Sequence, residues 1–313
     1  MTNRAASPKI LLNQHNKRDL NMIIVMQHHA DDDAIDDVVC FIRERGLQEH
    51  ISRGTERTII GAVGDERVFE PREIEVLRGV EKAVKVLHDW RIISRQTQET
   101  DSVITVRGVS FGGVHFHRIA PVIKDKLPDT AAIFFDPFFR PNTPYAHDNG
   151  LPENERLAYL NRIIAAAHQA EKPVLVRVRD IRQLSAVLKA EADFIYLGGE
   201  LMAGRDLQEE IGRLNVPVVL CKDKHHQTDD WLIAAEHIAL KGNHHIILGE
   251  AGTLCLDRAA PYRLDIEAMV KARQISHLPI IANILHLPHA YMRADTLLAL
   301  SLAAGAHGVI TAA

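Results

Sequence analysis

The chain has 313 residues, of which 46% are hydrophobic and 25% charged, and its formal net charge is −4. This balance is typical of a folded protein with one large and one small domain, and it argues against a disordered chain. The mild negative charge and the absence of an apolar run of about 18 residues argue against nucleic acid and membranes as partners.

The N-terminal region and the cysteines bear on localisation. Residues 1–21 have no sustained periodicity and are interpreted as a tail that orders against a partner. They lack the apolar segment of a secretory signal, and the three cysteines are an odd number at scattered positions. We therefore expect a cytoplasmic protein without disulfides.

Residues 22–95 are predicted to form a small α+β domain, followed by a linker at 96–101. Strand-like and helical patterns alternate there in the order β-α-β-β-α-β, the split βαβ arrangement of ferredoxin-like domains. The predicted strands are 22–27, 47–52, 58–63 and 84–87, and the predicted helices are 31–45 and 71–77.

Residues 102–313 alternate eight apolar strand-like runs with helical patterns. This regular alternation favours an α/β fold of the (β/α)₈, or TIM barrel, type over an open sheet. The predicted strands are 114–120, 131–139, 173–178, 194–198, 216–221, 245–249, 279–285 and 308–311. The predicted helices are 153–171, 181–190, 206–214, 229–241, 264–275 and 294–304.

Two helices are missing from this pattern, after the first and after the eighth strand. Only residues 121–130, with prolines at Pro121 and Pro128, separate the first two strands, which is too short for a helix with its turns. Because strands one and eight are neighbours in a closed barrel, both gaps open the same side, where we expect exposed apolar strand surface. A partner subunit, in a homo-oligomer or a hetero-complex, or the tail is expected to dock there. The alternative is a shallow loop that packs over the gap.

The turn region at residues 50–65, between two β-rich runs, carries a family resemblance. It resembles the ferredoxin-like domain of one class of 3-deoxy-D-arabino-heptulosonate 7-phosphate (DAHP) synthases, the first enzymes of the shikimate pathway. Similar segments follow in the family's order in the last third of the chain. They are 246–248, 264–266, 276–280 and 305–310. The resemblance implies a ferredoxin-like domain followed by an aldolase-type TIM barrel.

The resemblance also implies a divalent metal with four ligands, and this sequence retains one of them. The family histidine after strand seven corresponds to His286, whereas Val122 takes the place of the cysteine and Ala312 that of the glutamate. The chain ends before the segment that would carry the aspartate. One imidazole gives little metal affinity, so we expect no cofactor unless the site has been rebuilt.

The family's phosphate-binding cations are changed as well. Its Lys-Pro-Arg-Thr-Ser stretch corresponds to 140–143, where Arg140 replaces the lysine and Asn142 the arginine. Its Lys-Arg pair on strand five corresponds to Cys221 and Lys222, and two further arginines correspond to Glu200 and Ala251. Since phosphates bind through Lys and Arg, DAHP synthase activity is not expected.

Polar residues at the predicted strand ends could still form a new site, because such residues converge at the C-terminal mouth of a barrel. Lys222, Glu250 and His286 are the candidate catalytic residues, with Lys222 as a possible amine nucleophile. The alternative is a mutually neutralising network without chemistry. The candidate ligand-binding residues are Asp136, Arg140, Arg177, Arg179, Glu200 and Asn283.

Two functions from different classes are consistent with these residues. The first is a DAHP synthase-like pseudoenzyme, a regulatory or assembly subunit related to aromatic amino acid biosynthesis. The resemblance associates its ferredoxin-like domain with aromatic amino acids, so Tyr or Phe is a possible ligand. The second is a repurposed aldolase or lyase that acts on a keto acid, since barrel function resides in loops and strand ends. The sequence leaves open whether the chain is an enzyme.

Overall fold

The computed structural model describes residues 21–28, 30–54, 57–64, 70–86, 90–140, 152–258 and 260–312. Residues 1–20 of the predicted tail and residues 141–143 lie outside these ranges, whereas Asn21 begins the first strand. The first described unit is a small antiparallel sheet with two helices, in the predicted element order, and its last strand begins at Val80 rather than at 84. Its elements are β1 (Asn21–Met26), α1 (Asp32–Glu44), β2 (Gln48–Arg53), β3 (Thr58–Val63), α2 (Pro71–Glu75) and β4 (Val80–Val86).

This small sheet buries side chains on both faces. Within the described residues its strand order is β2-β3-β1-β4, so β1 is central. Ile24 and Ile60 pack against α1 and α2 on one face. Ile23, Val25 and Ile59 face the other way and belong to the large core of the rest of the chain. The sheet therefore lies between its own two helices on one side and the barrel on the other.

The larger unit is a closed parallel barrel of eight strands among the described residues, which confirms the predicted fold. Ile310 of the last strand lies opposite Ile119 of the first, and this pairing closes the barrel. The barrel strands are β7 (His117–Pro121), β8 (Ala132–Phe135), β9 (Val174–Val178), β10 (Phe194–Leu197), β11 (Val218–Cys221), β12 (Ile246–Glu250), β15 (Ile280–Asn283) and β16 (Gly308–Ile310).

The outer helices also follow the prediction to within a few residues. The helix predicted at 181–190 is α-helical only from Leu184, because a 3₁₀ turn precedes it. No described helix is long and apolar enough to span a membrane. The helices are α3 (Glu153–Gln169), α4 (Leu184–Lys189), α5 (Arg205–Gly212), α6 (Thr228–Ala239), α7 (Ile266–Ile275) and α8 (Ala294–Ala303).

Two short hairpins were not predicted. The pair β5 (Ile104–Val106) and β6 (Val109–Phe111) closes the N-terminal end of the barrel. Phe111 is fully buried among the interior side chains, with its ring 5.4 Å from that of Phe194. The pair β13 (Thr253–Leu254) and β14 (Tyr262–Arg263) follows β12 at the opposite end.

Strand β7 begins at His117 rather than at 114, because residues 112–116 form the turn that leaves the first hairpin.

The open side of the barrel corrects one expectation. No helix joins β7 to β8 in this described stretch, as predicted, but the expected exposed apolar strand surface is not present. Ala120, Ile133 and Val309 are fully buried there. Val122 and Leu127 of the short connection pack against the outer core, so a loop covers the gap between β7 and β8. Docking of a partner on this side stays a prediction.

Candidate functional site

The C-terminal mouth of the barrel gathers most of the predicted polar residues, and carboxylates hold two of its arginines. Nη2 of Arg177 donates to Oε1 of Glu200 at 2.6 Å. Arg179 donates through Nε and Nη2 to the two carboxylate oxygens of Asp136, at 3.0 and 2.6 Å. Burial opposes the charge of Glu200, but Arg177 outweighs it and lowers the pKa of this carboxyl. Such bidentate and charge-assisted pairs are the stronger kind of ion pair.

A second group at the mouth surrounds Lys222, at the end of β11. Its Nζ lies 3.1 Å from Oδ2 of Asp265, and its side chain is 1% exposed. The backbone N–H of Asp265 in turn donates to Oε1 of Glu250 at 3.1 Å. Asp265 therefore bridges the two predicted catalytic candidates, and its carboxylate occupies the position that a substrate would need beside the amine of Lys222.

Glu250, at the end of β12, is fully buried. Its Oε1 also accepts from the backbone N–H of Gly252 at 2.7 Å, whereas its Oε2 is buried without a hydrogen-bond partner in the described structure. Burial raises the pKa of this carboxyl to about 7, because the hydrogen bonds and the charge of Lys222 compensate only part of the lost hydration. Glu250 therefore changes charge near neutral pH.

The floor of the mouth is formed by Tyr196 on β10. Its hydroxyl accepts from Nδ2 of Asn283 at 2.8 Å, so this predicted ligand-binding side chain is already partnered. Tyr196 and its neighbour Cys221 are both buried, and burial raises the pKa of the Cys221 thiol to about 12. A thiol with this pKa is neutral and unreactive at physiological pH.

His286 and Arg140 do not join these groups. Both are exposed, and neither makes a hydrogen bond or ion pair with another described residue. Val122 packs against the outer core and Ala312 is exposed, so the places of two family ligands carry no donor. Across the described ranges, no three His, Cys, Asp or Glu side chains are grouped so as to hold an ion. The divalent metal that the resemblance implies does not fit these residues.

The sequence predicted the cations of the mouth but not the side chains that pair with them. Asp265 and Tyr196 were not among the candidates, although they hold Lys222 and Asn283. Lys224, whose strand-end position also predicts a place at the mouth, has its ammonium 3.5 Å from the centre of the Tyr262 ring. Tyr262 and Asp265 reach the mouth from the segment between β12 and α7, where Asp265 caps α7 instead of lying inside the helix predicted at 264–275. Tyr196 has an inward position on a strand and could have been found by alternation.

Comparison with known proteins agrees with this architecture. The model for the DAHP synthase ferredoxin-like domain matches residues 22–88, and the model for the DAHP synthetase I family matches residues 124–311. A phospho-2-dehydro-3-deoxyheptonate aldolase of Thermotoga maritima is 32% identical over 305 residues, which cover 92% of this chain and 88% of that protein.

Solved structures give the same result for the fold. The crystal structure of phospho-2-dehydro-3-deoxyheptonate aldolase (DAHP synthase) from Thermotoga maritima covers 93% of this chain and 87% of its own, with 29% identity and a TM-score of 0.62. A truncated form of the 3-deoxy-D-arabino-heptulosonate 7-phosphate synthase from that organism, at 24% identity and a TM-score of 0.58, covers 72% of this chain and 84% of its own, and supports the fold alone. The resemblance that the sequence predicted is confirmed, and the chain belongs to the DAHP synthetase I family.

Proposed function

We propose that this chain is a non-catalytic member of its family, a regulatory or assembly subunit related to aromatic amino acid biosynthesis. The observation that carries the proposal is the state of the cations at the mouth. Arg177, Arg179 and Lys222 are each within 3.1 Å of a carboxylate of the same chain. A cation already neutralised by a buried or half-buried carboxylate has little attraction left for a substrate phosphate.

The Thermotoga relative is named as an aldolase of a phosphorylated compound, and binding a phosphate needs cations that converge without carboxylates between them. In this chain Glu200 takes the place of an arginine that the family resemblance implies. Its carboxylate pairs with Arg177 and neutralises the charge of that guanidinium. Arg140 is exposed and makes no ion pair with a described residue. Three cations of the described mouth are therefore neutralised by carboxylates of the same chain, which supports a binding or assembly role over the family reaction. The three free cysteines support a cytoplasmic location.

Metal content and substrate binding of the purified full chain test this proposal. Elemental analysis should find no stoichiometric divalent metal, and calorimetry should detect no binding of phosphoenolpyruvate at millimolar concentration. The variant Glu200→Arg removes the carboxylate from Arg177 and adds a cation, so it should bind phosphoenolpyruvate measurably more tightly than the wild type. Glu209→Arg, a charge reversal on α5 away from the mouth, is the control. Tight stoichiometric metal or phosphoenolpyruvate binding by the wild type would overturn the proposal.

The regulatory version predicts a ligand, and the resemblance suggests an aromatic amino acid. Calorimetric and thermal-shift titrations with Tyr and with Phe are the direct test. If millimolar Tyr and Phe give no heat and no shift of the melting temperature, the chain does not sense these amino acids, and the proposal is reduced to an assembly role.

A repurposed aldolase or lyase is favoured by one observation, the burial of Lys222 beside Glu250. That function requires a free amine in an open site, and it requires His286 within reach. Lys222 is paired with Asp265, and the exposed His286 makes no hydrogen bond or ion pair with Lys222 or Glu250. Borohydride trapping with pyruvate should therefore leave the mass of the protein unchanged, and a reduced adduct on Lys222 would favour the enzyme instead.

A further inference from the structure

A cavity of about 250 Å³ lies between the small sheet and the barrel, at the end opposite the mouth. Val25 and Ile59 line it from the sheet face that packs on the barrel. Ile246, at the start of β12, and Leu278, just before β15, line it from the N-terminal end of the barrel. Both units of the chain therefore contribute walls to one cavity.

The volume sets the size of a ligand that could fill this cavity. An engineered apolar cavity of about 150 Å³ accommodates benzene, and drug-sized ligands occupy about 300–1,000 Å³. At about 250 Å³ the cavity is suited to a molecule of roughly ten to twelve non-hydrogen atoms. Polar and apolar side chains both line it, and the apolar group, which includes Val25, Ile59, Ile246 and Leu278, favours a ligand with a hydrocarbon part.

The polar groups that line the cavity favour a ligand whose polar end carries a negative charge. Asp101 is the acidic residue among the described lining, and Arg95 and Arg273 already hold its carboxylate. Arg57 pairs with Glu81, but both side chains of this pair are about 40% exposed, so the pair is weak and Arg57 can turn to a ligand. The half-buried imidazole of His245 has no hydrogen-bond partner among the described residues.

His277, which also lines the cavity, is satisfied and neutral. Nε2 of His277 donates to the backbone oxygen of Ile92, and its Nδ1 accepts from the hydroxyl of Ser102, both at 2.9 Å. Burial lowers the pKa of this imidazole to about 4. A further histidine of the lining, His244, has its Nε2 3.2 Å from the hydroxyl of Ser52. Arg57 and His245 are therefore the basic groups of the described lining that are left to meet an anion.

We propose that this cavity binds a small apolar carboxylate, with its hydrocarbon part against Val25, Ile59 and Ile246 and its carboxylate towards Arg57 and His245. The site is independent of the mouth and stands whether or not the mouth is catalytic. Because both units form its walls, a bound ligand favours their docked arrangement and stabilises the fold in proportion to ln(1 + [L]/Kd).

The test uses the full chain and two probes of one shape, 3-phenylpropanoate and its uncharged amide, 3-phenylpropanamide. Calorimetry should give one acid molecule per chain, bound at least tenfold more tightly than the amide. Arg57→Gln should lower the affinity for the acid to that for the amide. Arg53→Gln, which removes another exposed arginine of the same hairpin that pairs with Asp32 and does not line the cavity, should keep the wild-type preference.

Several outcomes would overturn the proposal. They are equal affinity of the wild type for acid and amide, no binding of either at millimolar concentration, and an Arg57→Gln variant that keeps the preference for the acid. A crystal soaked with the acid that shows it at the mouth rather than between sheet and barrel would do the same. None of these results bears on metal or phosphoenolpyruvate binding, so the two proposals can fail separately.

Discussion

Burial makes Glu250 a pH-sensitive residue in the physiological range. Its pKa is about 7 in the folded chain, against an ordinary value of 4.5. Between these values the folded state binds more protons than the unfolded state, so stability falls as pH rises from about 4.5 to about 7 and then levels off. By linkage the loss is at most about 3 kcal/mol. Glu250→Gln should flatten this dependence in urea-unfolding curves between about pH 5 and 8.

A matched variant separates this effect from a general loss of acidic charge. Glu267 is an exposed glutamate in the first turn of α7, close to Asp265 in the sequence, and Glu267→Gln should keep the wild-type slope. If Glu250→Gln and the wild type lose stability in parallel as the pH rises, then Glu250 is ionised in the folded protein at all of these pH values.

The paired mouth was partly predictable from single residues. Strand ends meet at one end of a parallel barrel, so the positions of Arg177, Arg179 and Lys222 along their strands were enough to predict that they lie together. Strand position does not distinguish an open cradle from a closed network, because that depends on which carboxylate each cation meets. For Lys222 the partner is Asp265, which lies beyond a hairpin whose path has no periodic signal.

At the level of elements, the hairpin β5–β6 should contribute strongly to stability. Phe111 fills the N-terminal end of the barrel interior and contacts the rings of Phe194 and His117. Phe111→Ala should lower the free energy of unfolding by about 3–5 kcal/mol, since it leaves a cavity that the surrounding strands cannot close. Val114→Ala, at a side chain that is 96% exposed just after the hairpin, should change it by less than about 0.5 kcal/mol. Equal effects of the two in denaturant melts would contradict this role.

The hairpin was missed because its strands have three residues each, which is too short for alternation to be counted. Its turn residues, Arg107 and Gly108, both have positive φ, at 47° and 77°. Such a two-residue turn is usually indicated by Asn-Gly or Asp-Gly, and an arginine at the first position gives no such signal. The longer strands and helices carried enough periods to be predicted to within a few residues.

The linker between the two units is tied to the barrel by Asp101. Its carboxylate accepts two hydrogen bonds from Arg273 at 2.8 and 2.9 Å and one from Arg95. Burial alone would raise its pKa, but these arginines outweigh burial and lower it to about 2. The stability that Asp101 contributes is therefore present above its ordinary pKa of 3.8 and is lost as pH falls through about 2.

Asp101→Asn should lower the free energy of unfolding at pH 7 by about 2–4 kcal/mol, because both arginines then lose their counter-ion. Asp32→Asn is the control, since Asp32 is 75% exposed in its pair with Arg53 and such a pair is worth about 0–1 kcal/mol. Guanidinium unfolding of the two variants compares them directly, and similar losses would mean that the Asp101 cluster is no stronger than a surface pair.

For the whole molecule, the shared core predicts a single cooperative unfolding transition. Ile23, Val25 and Ile59 of the sheet and the barrel residues belong to one buried cluster, which also contains Trp90 and Trp231. These are the two tryptophans of the chain, so their fluorescence reports on this core. Fluorescence and far-UV circular dichroism should therefore give coincident thermal transitions.

The variant Ile59→Ala should shift both transitions to lower temperature together, since its cavity opens in the common core. Ile51→Ala, at a side chain of the neighbouring strand that is 39% exposed, is the matched control and should leave both nearly unchanged. Two separate transitions in the wild type would mean that the small unit unfolds independently of the barrel.

The burial of both faces of the small sheet has a consequence for amide hydrogen exchange. Strand β1 is central, with Ile24 covered by the helices and Val25 by the barrel, so local fraying cannot expose its N–H groups to water. Its deuterium uptake should be as slow as that of β12 in the barrel, whereas the edge strand β2 should exchange much faster. The unit that the sequence presents as an accessory domain would then belong, by exchange rate, to the slowest-opening part of the protein.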